Sequence, residues 1–296
     1  MLTDLRGVIP PATTPFTRDG EVDLDAMKEQ VNWLVDQGVH GLAVGGSTGE
    51  GHTLDVDELR AIVEIALDTA AGRVPVVAGI IVDSTRDAVR RGRAIADLDV
   101  AALQVTPVHY LFRPDDDAMQ EHFRVMGEEV GHPIIIYNVV PWSYLSPELL
   151  CRIMDEVPAV VGVKQSAGDL KLFADLMLMA DPEHLIFCAV DALMYPAYTL
   201  GARGSIAAIL AAAPRASVEV WDAVQCGDHA RALESHEKLL RVWNAIEGPN
   251  LPACAKYAQT LQGCPAGYPR APMPEASEEQ RQAIEESLAV LGVLER

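Results

Sequence analysis

At 296 residues the chain is long enough for one large α/β barrel or two smaller domains, and 49% hydrophobic content with no long biased tract argues against disorder. Its 43 acidic and 23 basic residues give a net charge of −20, which disfavours a nonspecific nucleic-acid or anionic membrane surface. An anionic small molecule stays open, because a local pocket can oppose the net field. No apolar run approaches the length of a membrane span, and Met1–Asp4 do not begin a basic-then-apolar export signal, so a cytoplasmic protein is expected. The five cysteines (151, 188, 226, 254 and 264) are odd in number and lack close pairing, which reads as reduced thiols and not as a disulfide framework or a zinc site.

Along the chain, Gly7–Ala12 is a short apolar run ending in a proline-marked polar loop at Thr13, Thr14 and Pro15. Asp23 is placed to cap a helix to about Asp36, with Leu24, Met27, Val31, Leu34 and Val35 on one face. A strand at Gly41–Val44 runs into the small-residue loop Gly45–Gly51, and a helix follows over Val56–Ala70. Val74–Gly79 is the next strand, with its helix at Ser84–Ala96. Ala101–Val105 leads through a longer loop, Thr106–Asp115, to a helix ending near Val130. Ile134–Asn138 is a strand, and Ser146-Pro147 is a cap followed by an N1 proline that starts a helix to about Glu156. Val160–Lys164 is the sixth strand, with a helix over about Leu170–Met179. Leu185–Ala189 with Ala192–Leu200, and then Gly204–Ala208, complete the series. Eight strand–helix repeats predict a (β/α)8 TIM barrel over residues 1–225. An open doubly wound sheet is the alternative, although it would normally carry fewer strands and a dinucleotide fingerprint. Residues 226–296 read as a C-terminal helical region packed on the barrel, with helices at His229–Glu247, Pro252–Leu261 and Glu278–Leu291.

In such a barrel, chemistry sits at the C-terminal ends of the strands. Those positions include Thr13, Thr14, Ser47, Thr48, Glu50, Gly79, Thr106, His109, Tyr110, Tyr137, Asn138, Lys164, Ala189, Asp191 and Ile206. Lys164 is either an ordinary strand-end cation or an amine whose pKa is lowered by apolar surroundings, and so a Schiff-base nucleophile. Tyr137, on the neighbouring strand, is a candidate for passing protons. The Gly45–Gly51 loop has residues small enough to bring amides to an anion, yet it lacks the length and lysine of a phosphate loop, so a small carboxylate suits it better than a nucleotide. His109 and Tyr110, on the longest mouth loop, are candidates for substrate contact or for a simple lid. His52 and Asp55 read as loop and cap residues, Asp115–Asp117 as a solvated helix start, and Cys188 as a core thiol.

Several ordered motifs together make the chain resemble the dihydrodipicolinate synthase / N-acetylneuraminate lyase family of Schiff-base-forming aldolases. They are Gly7–Phe16, Gly46–Glu50, the Tyr137-Asn138 strand end, Val161–Asp169, Gly201–Ile206, and Pro249–Pro252 followed by Lys256. The resemblance implies that Lys164 attacks the carbonyl of pyruvate or a related 2-oxo acid, with Tyr137 as proton shuttle and Ser47 and Thr48 holding the carboxylate. It implies that Ala189 and Ile206 face the Schiff base mainly through backbone. It also implies a homotetramer built as a dimer of dimers and no metal or organic cofactor, since the lysine is the electron sink.

The departures concern the second substrate. Where the synthase has an arginine shortly after its Tyr-Asn strand end, this chain reads Val139-Val140-Pro141-Trp142-Ser143-Tyr144. After Thr106-Pro107 comes Val108-His109-Tyr110-Leu111-Phe112-Arg113, in which the family's relay tyrosine corresponds to His109, to Tyr110 or to neither. Trp142, Tyr144, Tyr110 and Phe112 suggest an aromatic mouth, suited to an aldehyde or leaving group less polar than a dicarboxylate, with Arg113 as a cation available from another loop. The expectation is an aldolase or lyase on a 2-oxo acid. The alternatives are a dehydratase or hydratase-aldolase on a 2-oxo-3-deoxy or aryl-substituted acid, and 4-hydroxy-tetrahydrodipicolinate synthase with altered specificity residues.

Overall fold

In the computed structural model, which describes residues 5–294, eight parallel strands form one sheet. They are β1 (Gly7–Val8), β2 (Leu42–Val44), β3 (Val76–Ile80), β4 (Ala102–Val105), β5 (Ile134–Asn138), β6 (Val160–Gln165), β7 (Leu185–Cys188) and β8 (Gly204–Ser205). The residues on which an export signal was judged, Met1–Asp4, lie outside the described ones. From β2 to β8 each strand pairs with the next, β1 pairs with β8, and an isolated bridge from Pro11, just beyond β1, to Ala43 of β2 closes the sheet into a barrel. Closure removes the doubly wound alternative. Among the described residues no helix is long and apolar enough to cross a membrane.

Strands buried on both faces need apolar residues on both, and successive side chains alternate between them. Leu103 and Val105 of β4, Ile134 and Ile136 of β5 and Val163 of β6 face the surrounding helices. Ala43, Val77, Ala102, Ile135, Phe187 and Ile206, joined by Leu5 and Ile9, fill the barrel interior. Continuing the inward alternation toward the strand ends reaches Gln104, Tyr137 and Lys164. The interior therefore changes from apolar to polar over one layer, and the cavity begins there.

The helices are α1 (Leu24–Asp36), α2 (Val56–Ala70), α3 (Thr85–Ala94), α4 (Asp116–Val130), α5 (Pro147–Glu156), α6 (Leu170–Met179), α7 (Met194–Thr199), α8 (Ile209–Ala212), α9 (Pro214–Gln225), α10 (His229–Ile246), α11 (Leu251–Leu261) and α12 (Glu278–Leu291). Most starts follow from capping: Asp23, Asp55, Asp115 and Ser146 each accept an amide from the first turn of the helix they precede. The buried face of α1 differs from the periodic reading. It is Met27, Gln30, Val31 and Leu34, whereas Leu24 is exposed and Val35 half-buried. Gln30 belongs to that face because its amide donates to Thr13 Oγ1 at 2.9 Å, a polar tether that hydrophobic periodicity does not register. The eighth strand stops at Ser205, and the chain turns directly into α8, so Ile206–Ala208 are not strand. Beyond it, α10 packs against α9 and α12, and α11 against α8 and α12.

This helical extension is tied to the barrel mouth by polar contacts. Thr13 Oγ1 donates to Gln259 Oε1 at 2.8 Å. Lys256 Nζ donates to Glu50 Oε1 at 2.6 Å and to the Tyr268 carbonyl at 2.6 Å, and the Arg270 amide donates to Glu50 Oε2 at 2.9 Å. Both members of the Lys256–Glu50 ion pair are buried.

Candidate active site

A cavity of about 340 Å³ opens at the C-terminal ends of the strands. Lys164, Tyr137, Ser47, Thr48, Asp191 and Ile206 line it, and Trp243, Leu251 and Pro252 of the helical extension form one wall. A wider cleft of about 740 Å³ lies elsewhere, lined by Arg18, Glu58 and Arg270 among others, but its described lining has no lysine or cysteine and its Arg270 is already paired with Glu58.

Lys164, next to last in β6, lies opposite Tyr137 of β5, as the strand spacing predicted, and is 3% exposed. Its Nζ donates to Gln104 Oε1 at 3.3 Å and stands 3.6 Å from the centre of the Tyr137 ring. Burial pushes the amine down to about 7, with the Asp191 carboxylate opposing the shift. At neutral pH much of it is therefore unprotonated and nucleophilic. The Tyr137 hydroxyl donates to Ser47 Oγ at 3.2 Å. Burial raises this phenol to about 12, the Ser47 bond offsetting part of the rise and Asp191 adding to it, so the phenol carries its proton at neutral pH.

The loop bearing Ser47 and Thr48 needs its glycines for close packing. A Cβ on Gly79 would stand 2.3 Å from the Gly45 carbonyl oxygen, and one on Gly51 1.8 Å from it. Two loop amides are used internally, Glu50 N donating to Ser47 O and Gly51 N to Gly46 O, each at 3.0 Å. The loop thus brings Ser47 and Thr48 to the cavity lining with two of its amides already satisfied. Ala189 and Ile206 line the cavity as well.

Asp191 was legible only as a strand-end position. It begins a 3₁₀ turn after β7, accepts from the Ile209 amide at 2.6 Å and lines the cavity. Burial raises its carboxyl to about 6 against the lowering effects of that bond and of Lys164. Gln104 escaped the sequence reading altogether; the available signal was its place on the inward face of β4.

Four predicted substrate contacts are not brought to the cavity lining: His109, Tyr110, Arg113 and Trp142. The loops after β4 and β5 bind each other at the rim. Trp142 Nε1 donates to the His109 carbonyl at 2.7 Å, and Ser143 Oγ to the Val108 carbonyl at 3.0 Å. His109 Nδ1 lies 3.0 Å from the Pro107 carbonyl and 3.3 Å from Asp83. Arg113 pairs with Asp116 at the start of α4. Tyr110, Phe112 and Trp142 are 63%, 83% and 68% exposed, so these three aromatics form a rim, not a wall, while the half-buried Tyr144 donates its hydroxyl to the Ser166 carbonyl at 3.3 Å. Among the described residues, no three or more His, Cys, Asp or Glu side chains form a group that could hold a metal ion.

The model of the dihydrodipicolinate synthetase family matches residues 4–291. A 4-hydroxy-tetrahydrodipicolinate synthase of Methanopyrus kandleri is 34% identical over 98% of this chain and 97% of its own, and one of Symbiobacterium thermophilum is 36% identical over 95% and 96%. Among solved structures, dihydrodipicolinate synthase from Aquifex aeolicus superposes with a TM-score of 0.91 at 29% identity, covering 98% of this chain and 99% of that one. The chain belongs to the dihydrodipicolinate synthetase family, and its eight-stranded barrel with C-terminal helices is that family's fold.

Proposed function

We propose that this family member is a Schiff-base-forming lyase acting on pyruvate or a related 2-oxo acid through Lys164. The observation that carries the reading is the buried Lys164 amine, its Nζ 3.6 Å from the centre of the Tyr137 ring, in the lining of a cavity it shares with Tyr137, Ser47 and Thr48. The acid's carboxylate binds the Ser47 and Thr48 hydroxyls, and neutral Nζ attacks C2. The carbonyl oxygen leaves as water with one proton from the amine and one delivered by way of Tyr137, and the nitrogen keeps one hydrogen and a positive charge. That iminium draws the electron pair of a breaking bond at C3–C4, or of C3–H, and returns it when a new bond forms. Tyr137, bonded to Ser47, moves the protons at the substrate oxygen. The lysine is itself the electron sink, so the scheme calls for neither metal nor organic cofactor. Residues 1–225 act as the catalytic barrel and 226–296 as its helical cover, supplying Trp243, Leu251 and Pro252 to the cavity wall.

Lys164 and Asp191 are the charged side chains of the lining. With an anion and, among the described residues, no arginine in the lining, the second substrate or leaving group is less polar than a dicarboxylate; dehydration of a 2-oxo-3-deoxy or aryl-substituted acid fits the same machinery. The second reading is 4-hydroxy-tetrahydrodipicolinate synthase with substituted specificity residues, favoured by the names of the relatives above. Borohydride reduction in the presence of pyruvate, with peptide mass spectrometry, should place an adduct on Lys164 that the Lys164→Ala variant lacks. Absence of any adduct across a panel of 2-oxo acids would end the lyase reading. Stimulation of pyruvate consumption by aspartate semialdehyde would favour the synthase, and stimulation only by uncharged aldehydes the leading reading. Exposed Leu111, Phe112 and Trp142 at the rim support association into the family-type homotetramer, which light scattering tests, and the five free thiols suit a reducing cytoplasm.

A further inference from the structure

Gln104 lies in β4 and is fully buried. Leu103 and Val105 on either side point into the helices, and Ala102 below it points into the barrel. An apolar side chain at 104 would complete the interior packing. Instead the barrel holds a primary amide that accepts from Lys164 Nζ at 3.3 Å. With its oxygen facing the amine, the amide turns Nε2 toward the mouth loop, where it lies 2.6 Å from where a Cβ on Gly46 would stand. Nε2 is buried with no hydrogen-bond partner among the described residues. A buried amide with one end unpaired is a cost to stability that leucine or valine would avoid. The group is thus wedged between the lysine and the backbone immediately before Ser47 and Thr48.

We propose that Gln104 is a positioning residue for Lys164: it orients the free amine toward the bound carbonyl and then accepts the hydrogen of the protonated imine. The proposal rests on the lyase reading. In the neutral amine, one N–H points to Gln104 Oε1 and the other finds the Tyr137 ring face, 3.6 Å away at its centre. The lone pair is left for the cavity. Nucleophilic addition forms the N–C2 bond and places the π pair on oxygen. Loss of that oxygen as water, with one proton from nitrogen and one from the Tyr137 route, leaves C2=N⁺–H. Its single hydrogen keeps Gln104 Oε1 as acceptor, now with a charge to assist the bond. An amide suits both states, whereas a carboxylate there would hold the amine as ammonium.

The test is the pH dependence of the cyanoborohydride-trapped pyruvate adduct on Lys164 in the full-length wild type, Gln104→Met and Gln104→Glu, with folding checked by circular dichroism. Asp191 and Tyr137, the titratable groups sharing the cavity, stay unchanged in all three. Gln104→Met should move the midpoint to lower pH, because the ammonium loses its acceptor, and should need about tenfold more pyruvate for half-maximal adduct, the size of one charge-assisted hydrogen bond. Gln104→Glu should move the midpoint up by about one pH unit or more. If the methionine variant does not fold, the direction of the glutamate shift decides alone. Unchanged midpoints in folded variants would overturn the role of Gln104 while leaving the lyase reading intact. No adduct in the wild type would overturn both.

Discussion

Replacing Lys256 by methionine should cost the protein more than any surface ion pair could. Lys256 is 2% and Glu50 0% exposed, with Nζ 2.6 Å from Glu50 Oε1. Burial lowers the Lys256 amine to about 8 against the pull of Glu50, so at pH 7 the amine is mostly protonated. Methionine occupies a similar volume, so the cavity contribution is small. What remains is a buried carboxylate with the Arg270 amide as its donor at 2.9 Å, and an unpaired Tyr268 carbonyl. Breaking such a pair on one side costs roughly 3–5 kcal/mol, a large share of the 5–15 kcal/mol by which domains are stable. Glu50→Gln combined with Lys256→Met removes both charges and should recover at least half of that loss. Urea unfolding at pH 7, followed by circular dichroism, measures all four corners of the cycle. Added salt should barely change the coupling, because water and ions do not reach the pair. A single-variant loss below about 1 kcal/mol, or a double variant as unstable as the sum of the singles, would refute the buried-pair reasoning. Because α11 also bears Leu251 and Pro252, the single variant should raise the pyruvate concentration needed for adduct formation.

Two further outcomes bear on the chemistry. The rate of adduct formation on Lys164 should climb about tenfold per pH unit below about 7 and level off above it, since the neutral amine is the reactive form and burial lowers its pKa from 10.5 to about 7. An ordinary lysine would be neutral in only about one molecule in 3,000 at pH 7, so a midpoint above pH 9 would show that the site does not depress the amine. Tyr137→Phe should still form the adduct but lose about 10²–10⁴-fold in turnover with the proper second substrate; wild-type turnover would remove the phenol from proton transfer.

The element series was readable because each strand is a short apolar run and most helices announce their starts. Ser146-Pro147, Asp55 and Asp115 are local chemistry, and local chemistry is written in neighbouring residues. Lys164 and Tyr137 were readable for a related reason. Once eight strands are counted, their ends are mouth positions, and the β5–β6 register then sets the two residues side by side. Gln30 and Gln104 were not readable, because each is a polar residue in a buried face whose partner, Thr13 or Lys164, is 17 or 60 residues away.

By itself, then, the sequence determined the barrel and the order of its elements, because apolar periodicity and capping act over a few residues, and it set the Lys164 amine at the mouth while leaving it either a strand-end cation or a nucleophile until the family resemblance was added. Only the tertiary structure decided what surrounds that amine. It turned His109, Tyr110, Arg113 and Trp142 out to a rim through the Trp142–His109 and Arg113–Asp116 contacts, and brought Asp191, Gln104 and the α11 wall in. A long loop has no period from which to read direction. Its side chains point where distant hydrogen-bond partners and desolvation allow, and those exist only once the barrel has closed.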